Sequence, residues 1–324
     1  MKTLSDVTLV IAGPVKSRQT ELELIEKIKH LQYLIDKTGL SVIFSTYEFE
    51  LSMNILKSPN LEIIINEDPG SDQANLNGTY LKTPDYRNTS RMLISTLAGV
   101  KKVKTKYTVK TRIELMPVND KFIKICTESI DILKNNEKAV LFLGNHYRGI
   151  GIQNYHKSGQ LGWLPDTFQI MRTTEIVNVW QNAFYIWDKN KKYWLSRKTV
   201  YPVSNEQIIG ISYIQCRSNF QQKFKIQKFH RYTLSVRMLY FQYRLEKSSF
   251  RALNYEDSGL SYWKPLKSEQ EIVLIEKDCY VRRKFRTFFC MRDFYFVYRF
   301  INMNYLMKLR SRVICAKNFL LSLN

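Results

Sequence analysis

An α/β fold, a sheet covered by helices, follows from three features of the chain. Short apolar runs end in turn residues, stretches with apolar positions at helical spacing lie between them, and the two alternate through the first half of the 324 residues. VTLVIAGPV (7–15) is a buried strand ended by Gly13-Pro14. TELELIEKIKHLQYLI (20–35) spaces Leu22, Ile25, Ile28, Leu31, Leu34 and Ile35 for a helix, with Thr20 as its N-cap. SVIFSTYE (41–48) and LEIIINED (61–68) are the second and third strands, and 71–86 is a polar loop. RNTSRMLISTLAGVKKV (87–103) reads as a helix and TKYTVKTRIE (105–114) as a fourth strand, stopped by Pro117.

Farther on, NEKAVLFLGN (136–145) holds a short strand, and 144–163 is a glycine-bearing loop with His146 and His156. DTFQIMRTTEIVNVWQNAFYIW (166–187) passes from a strand or turn into an amphipathic helix. Beyond about residue 200 the pattern is mostly helical and basic. No linker, repeat or low-complexity segment marks a boundary, so 1–210 reads as the core and 211–324 as an extension.

Charge separates the two halves. Residues 1–150 carry 21 Lys and Arg against 17 Asp and Glu, whereas the rest carry 29 against 12 within a total of +21. Such a field favours anionic partners: phosphates, acidic glycans, nucleic acid or an anionic membrane surface. The five cysteines are widely spread without CxxC or Cys/His spacing, which argues against zinc and for reduced thiols in a cytoplasmic protein. The first apolar run is too short for a signal peptide, and no stretch approaches the roughly 20 apolar residues of a membrane span.

Ligands of open α/β sheets collect at the carboxyl ends of strands. Gly13 and Pro14 follow the first strand, Glu67-Asp68-Pro69-Gly70 the third, and Glu114 the fourth. Asn88 and Arg91 lie one turn apart at a helix start, where a guanidinium fork and free N–H groups suit phosphate. Each also has a plainer reading. NEDPG is a good turn, Arg91 a solvated helix residue, and Glu114 half of an ion pair with Arg112. Convergence at one sheet edge favours a nucleotide site.

The collinear series TLVIAGPV, SVIFSTYE, IINEDPG, RNTSRMLISTLAGVKKVKTKY and VKTRIE resembles the WavE-type lipopolysaccharide synthesis family. PDTFQIMRTTEIVNVW and the SNEQ at 204–207 extend the resemblance over about residues 5–210. It implies a GT-A-like (Rossmann-like) central mixed sheet flanked by helices, and a glycosyltransferase that moves sugar from a nucleotide-sugar donor to a cell-surface glycan. The acceptor is a saccharide or a lipid-linked glycan of lipopolysaccharide or capsule synthesis. By that resemblance Gly13 and Pro14 flank the nucleoside, Asp68 contacts base or ribose, and Asn88 and Arg91 form the polar helix start. Arg112 and Glu114 match an Arg-x-acid element whose usual acid is Asp. The fuller Asp-x-Asp of many GT-A enzymes is missing. Glu114 is the candidate ligand for Mn²⁺ or Mg²⁺. Lys110, Arg112 and Arg91 can neutralise the leaving diphosphate beside such an ion or in its place. Asp166 is the candidate general base, with helix capping as its other reading and Glu175 and Glu206 as weaker bases.

Residues 223–244 and 280–312 interleave Lys and Arg with Phe, Tyr and Met. They suit either packing onto the core or contact with an anionic leaflet, which would make the protein peripheral on the inner face of the cytoplasmic membrane. Nucleic-acid binding is the rival from another class. It accounts for the charge but not for the strand-end residues, and no nucleic-acid motif is present. A non-catalytic glycosyltransferase relative is the third reading.

Overall fold

The computed structural model describes residues 3–14, 20–48, 58–70, 72, 88–143, 164–196, 205–217, 245, 248–253 and 258–261. Within them the order is β1 (Val7–Ala12), α1 (Glu21–Thr38), β2 (Ser41–Thr46), β3 (Leu61–Ile65), α2 (Thr89–Lys102) and β4 (Tyr107–Arg112). A single 3₁₀ turn (Ile113–Leu115) leads to α3 (Lys121–Asn135), β5 (Val140–Leu143), β6 (Phe168–Arg172), α4 (Thr173–Ser196), α5 (Asn205–Arg217) and β7 (Phe250–Leu253).

The strands form one sheet in the order β3-β2-β1-β4-β6-β5-β7. β3, β2, β1 and β4 are mutually parallel, β6 runs antiparallel between β4 and β5, and β7 is parallel to β5. The expected class, an α/β mixed sheet flanked by helices, is the class observed. All six residues of β1 are buried, as a central strand covered on both faces requires.

α1 and α3 cover one face. Leu24, Ile28, Leu31 and Leu34 of α1 and Phe122 and Ile125 of α3 meet Leu9, Ile11, Val42, Phe44, Val109 and Ile170. α2, α4 and α5 cover the other, where Leu93, Val179, Trp180 and Ile211 meet Val10, Ile43, Val140 and Met171. Each such side chain contributes about 1.5–3 kcal/mol when fully buried. Thr20 is the N-cap of α1 in a capping box with Glu23, and Gly39 closes the helix at φ 70°. Gly99 lets α2 lie close on the sheet: a Cβ there would stand 2.5 Å from Val10 Cγ1 and 3.2 Å from Ser45 Cβ.

Three boundaries differ from the sequence reading. α2 begins at Thr89 with Asn88 as its N-cap, and β3 ends at Ile65, before the acidic turn. β4 ends at Arg112 rather than Glu114, because the chain turns there. Thr111 Oγ1 donates to the Leu115 carbonyl at 2.9 Å, so Glu114 rides on the 3₁₀ turn. α5 straddles residue 210 and is buried along most of its length, and the sheet takes β7 from 250–253, where the sequence pattern announces no strand. The basic stretches 223–244 and 280–312 lie outside the described residues, as do His146 and His156.

Candidate active site at the carboxyl edge of the sheet

The carboxyl ends of β1 to β5 and the amino end of β6 share one edge. Strand order reverses about β1, which pairs with β2 on one side and β4 on the other. A crevice at such a switch point is where open sheets bind ligands. Gly13 stands there at φ 123°, a conformation reserved in practice for glycine, and donates its N–H to the Ser45 carbonyl at 3.1 Å. Pro14 follows it, exposed.

To one side lies the corner between β3 and α2. Asp68 accepts from Arg91 Nε and Nη2 at 2.6 Å each, the parallel fork geometry of a guanidinium and a carboxylate. It also accepts from the Gly70 N–H at 2.9 Å, so the NEDPG segment is indeed a turn as well. Arg91 Nη1 donates to Asn88 Oδ1 at 3.1 Å, which uses the Asn88 side chain for this pair rather than for capping α2. Arg91 holds the Asp68 carboxyl below the usual carboxylate range, and the Asp68 carboxylate in turn raises Arg91. Both side chains remain open to solvent, 45% and 31% exposed. Tyr47 donates to the Arg91 carbonyl, and burial pushes its phenol up to about 12.

Asp72 went unnoticed in the sequence. It accepts from the Ser90 N–H at 2.8 Å and pairs with the Ser90 hydroxyl, which itself accepts from Trp187 Nε1 at 2.8 Å. The acid thus pins the turn after β3 to the first turn of α2, where free N–H groups await an acceptor. Its one available signal is an Asp four residues beyond Asp68, at the start of the polar loop.

To the other side lies the corner between β4 and β6. Arg112 Nη2 stands 3.2 Å from Glu114 Oε1, and Arg112 Nη1 stands 4.0 Å from Asp166 Oδ2. The two carboxylate side chains are 14% and 6% exposed, the guanidinium 35%. Burial works against the charged Arg112, but Asp166, Glu114 and Glu206 together outweigh it and raise its pKa. Asp166 does not cap a helix, because β6 separates it from α4. The ion pair of Glu114 with Arg112 is real and lies inside the same cluster. Glu206, in the first turn of α5, accepts the Leu164 N–H on its carbonyl at 3.1 Å, which ties α5 to the segment leading into β6. Glu175 is spent elsewhere, in an ion pair with Arg217 at 2.7 Å.

Lys110 differs from its neighbours. The alternation of β4 turns it inward, under α4, where it is fully buried with its Nζ 4.9 Å from the centre of the Trp180 ring. It donates to the main-chain carbonyl of Asp166. Burial pulls its pKa down to about 8, opposed by the charges of Asp166 and Glu114 and assisted by Arg112. Its ammonium therefore faces the interior rather than the open edge where a diphosphate would lie.

The Glu114 turn is braced from far along the chain. Ser261 donates through Oγ to the Glu114 carbonyl at 2.5 Å and through its N–H to Met116 O at 2.8 Å, and Val118 N–H donates to Gly259 O at 2.8 Å. Among the described residues no three His, Cys, Asp or Glu side chains are grouped to hold a metal ion.

This is an α/β chain with charged groups gathered at a topological switch point of its sheet. It belongs to the WavE lipopolysaccharide synthesis family, whose model matches residues 7–280. No curated relative matches the chain. Among solved structures, the galactosyltransferase LgtC in complex with donor and acceptor sugar analogs aligns with TM-score 0.36 and 8% identity over 63% of this chain and 70% of that one. HddC from Yersinia pseudotuberculosis aligns with TM-score 0.29 and 10% identity over 53% and 78%. A cytidylyltransferase from Leptospira borgpetersenii aligns with TM-score 0.31 and 10% identity over 75% and 94%. Likenesses this distant say nothing of this chain's chemistry. Among the described residues no helix is long and apolar enough to cross a membrane.

Proposed function

We propose that the protein is a glycosyltransferase that moves a sugar from a nucleotide-sugar donor to a saccharide or lipid-linked glycan acceptor in cell-surface polysaccharide synthesis. Family membership supports the pathway class. The observation that carries the chemistry is the meeting of Arg112, Glu114 and Asp166 at the carboxyl edge, from strands whose sequence positions lie far apart. In this reading Gly13 and Pro14 give the nucleoside close access to the backbone. Asp68, aligned by Arg91 and Asn88, accepts hydrogen bonds from base or ribose.

In a single displacement, Asp166 takes the proton of the attacking acceptor hydroxyl. The bond from the anomeric carbon to the diphosphate breaks as the new glycosidic bond forms, and the electron pair leaves on the diphosphate. Arg112 offers positive charge where that anion develops, already oriented by two carboxylates. Mn²⁺ or Mg²⁺ would be held here by Glu114 as its carboxylate ligand, beside Arg112, which already pairs with both Glu114 and Asp166. Bound there, it would add positive charge beside the leaving oxygens. The basic aromatic stretch 280–312 is read as the part that meets an anionic leaflet.

A thermal-shift screen against UDP-, GDP- and CMP-sugars, with and without Mn²⁺, tests the reading. Stabilisation by one nucleotide class, followed by sugar transfer or donor hydrolysis, is the expected result. Binding without turnover identifies a non-catalytic relative, and no binding at all overturns the proposal. Activity lost in EDTA and restored by Mn²⁺ establishes metal dependence; full activity in EDTA disposes of it.

A further inference from the structure

Lys110 is the one described lysine with no exposed surface, set under Trp180 and beside Gln169, its partner across to β6. An ammonium in such a place is expensive, and a hydrophobic side chain of the same length would suit it better for stability alone. Its neighbours explain what it does there. The strand pairing sets Thr111 opposite Phe168, so Lys110 on β4 lies beside the residues that enter β6. Its Nζ reaches the carbonyl of Asp166, and Gln169 Nε2 holds the carbonyl of Pro165 from the same interior side at 2.7 Å. Gln169 is fixed in turn by Trp180 Nε1, which donates to its Oε1 at 2.9 Å. Two successive carbonyls are therefore held from within, and they belong to the residue that offers the carboxylate and the one before it.

We propose that Lys110 is a positioning residue: from inside the molecule it fixes the backbone of Asp166 and so holds the Asp166 carboxylate against Arg112 at the reacting edge. This rests on the glycosyltransferase reading of the site, and it replaces direct contact of Lys110 with the diphosphate. The charged groups that bear on the ammonium are Asp166 and Glu114, which favour it, and Arg112, which opposes it; from α4 the facing group is the uncharged Trp180. A misplacement of order 1 Å in a reacting group lowers turnover by up to about 10²-fold. Loss of this anchor acts on turnover and leaves the donor's own contacts in place.

The test is Lys110→Met, with Lys110→Gln as a second variant that keeps a hydrogen-bond donor without the charge. Stability is followed by urea denaturation, transfer by kcat and donor KM, and backbone order by amide hydrogen exchange across 166–168. Lys110→Met should unfold at higher urea than wild type, lose at least about tenfold in kcat, keep donor KM within about twofold, and exchange faster at 166–168 while α1 and α3 are unchanged. Stability falling together with kcat marks an ordinary structural group and overturns the proposal. A raised KM with kcat retained marks a donor contact and overturns it too. Unchanged exchange at 166–168 overturns it whichever activity is found, so this arm stands apart from the glycosyltransferase reading, which fails only if the wild-type protein neither binds nor turns over a nucleotide sugar.

Discussion

The two corners flanking Gly13 use the same chemistry under opposite conditions. In the β3–α2 corner, Arg91 and Asp68 form a fork that stays open to water, and Asn88 and Gly70 complete it from nearby in the chain. In the β4–β6 corner, Arg112 lies between carboxylates that are nearly closed off, with a buried lysine beneath. An exposed pair contributes little to stability and can exchange partners with a ligand, whereas a buried cluster depends on every member. In the function proposed above, one corner receives the donor and the other reacts.

Asp166→Asn should give the sharpest separation between them. Turnover is expected to fall by about 10²–10⁴-fold with a normal circular dichroism spectrum, and initial rates of sugar transfer would read it. Near-full activity would strip the β4–β6 corner of its chemical role. Arg112→Gln leaves two largely buried carboxylates without their shared cation. It should lower kcat by about 10²-fold and stability by roughly 1–3 kcal/mol, measured by steady-state kinetics and urea unfolding. An equal loss from Arg91→Gln would erase the contrast between the corners.

Arg91→Lys removes the fork but keeps the charge. Donor KM should rise several-fold, kcat should hold, and stability should change by less than about 1 kcal/mol. The last expected effect is one of pH. The pKa of Lys110 is about 8 in the folded protein against 10.5 for an ordinary lysine, so the unfolded chain holds the proton more tightly between those values. Its penalty on folding is then full below about pH 8 and is relieved as pH rises towards 10.5. The stability gap between Lys110→Met and wild type should narrow over that window in parallel denaturation series.

Local signals made the open corner legible. The turn residues of NEDPG, the helix start at Asn88 and the one-turn spacing to Arg91 lie close together in sequence, and the structure joins the same residues. Thr20 as the N-cap of α1 was equally readable. The closed corner was legible only as a set of separate residues. Nothing in PDTF tells that β6 enters antiparallel beside β4 and carries Asp166 to Arg112, because that pairing is a property of the whole sheet. Lys110 was misleading for a related reason. A strand buried on both faces shows no polar alternation that would mark which side is outward, so a lysine near its end reads as facing solvent. β7 escaped notice because four residues set in a long basic region carry too little pattern.

The brace from Ser261 to the Glu114 turn also has a consequence for how the protein is made. The two residues are 147 positions apart. At a translation rate of roughly 5–20 residues per second, the ribosome needs about 7–30 s to pass from one to the other. During that interval β1 to β4 can already pair, yet the turn bearing Glu114 lacks its last main-chain partners. The nascent chain therefore acquires paired strands before it acquires a finished Glu114 turn.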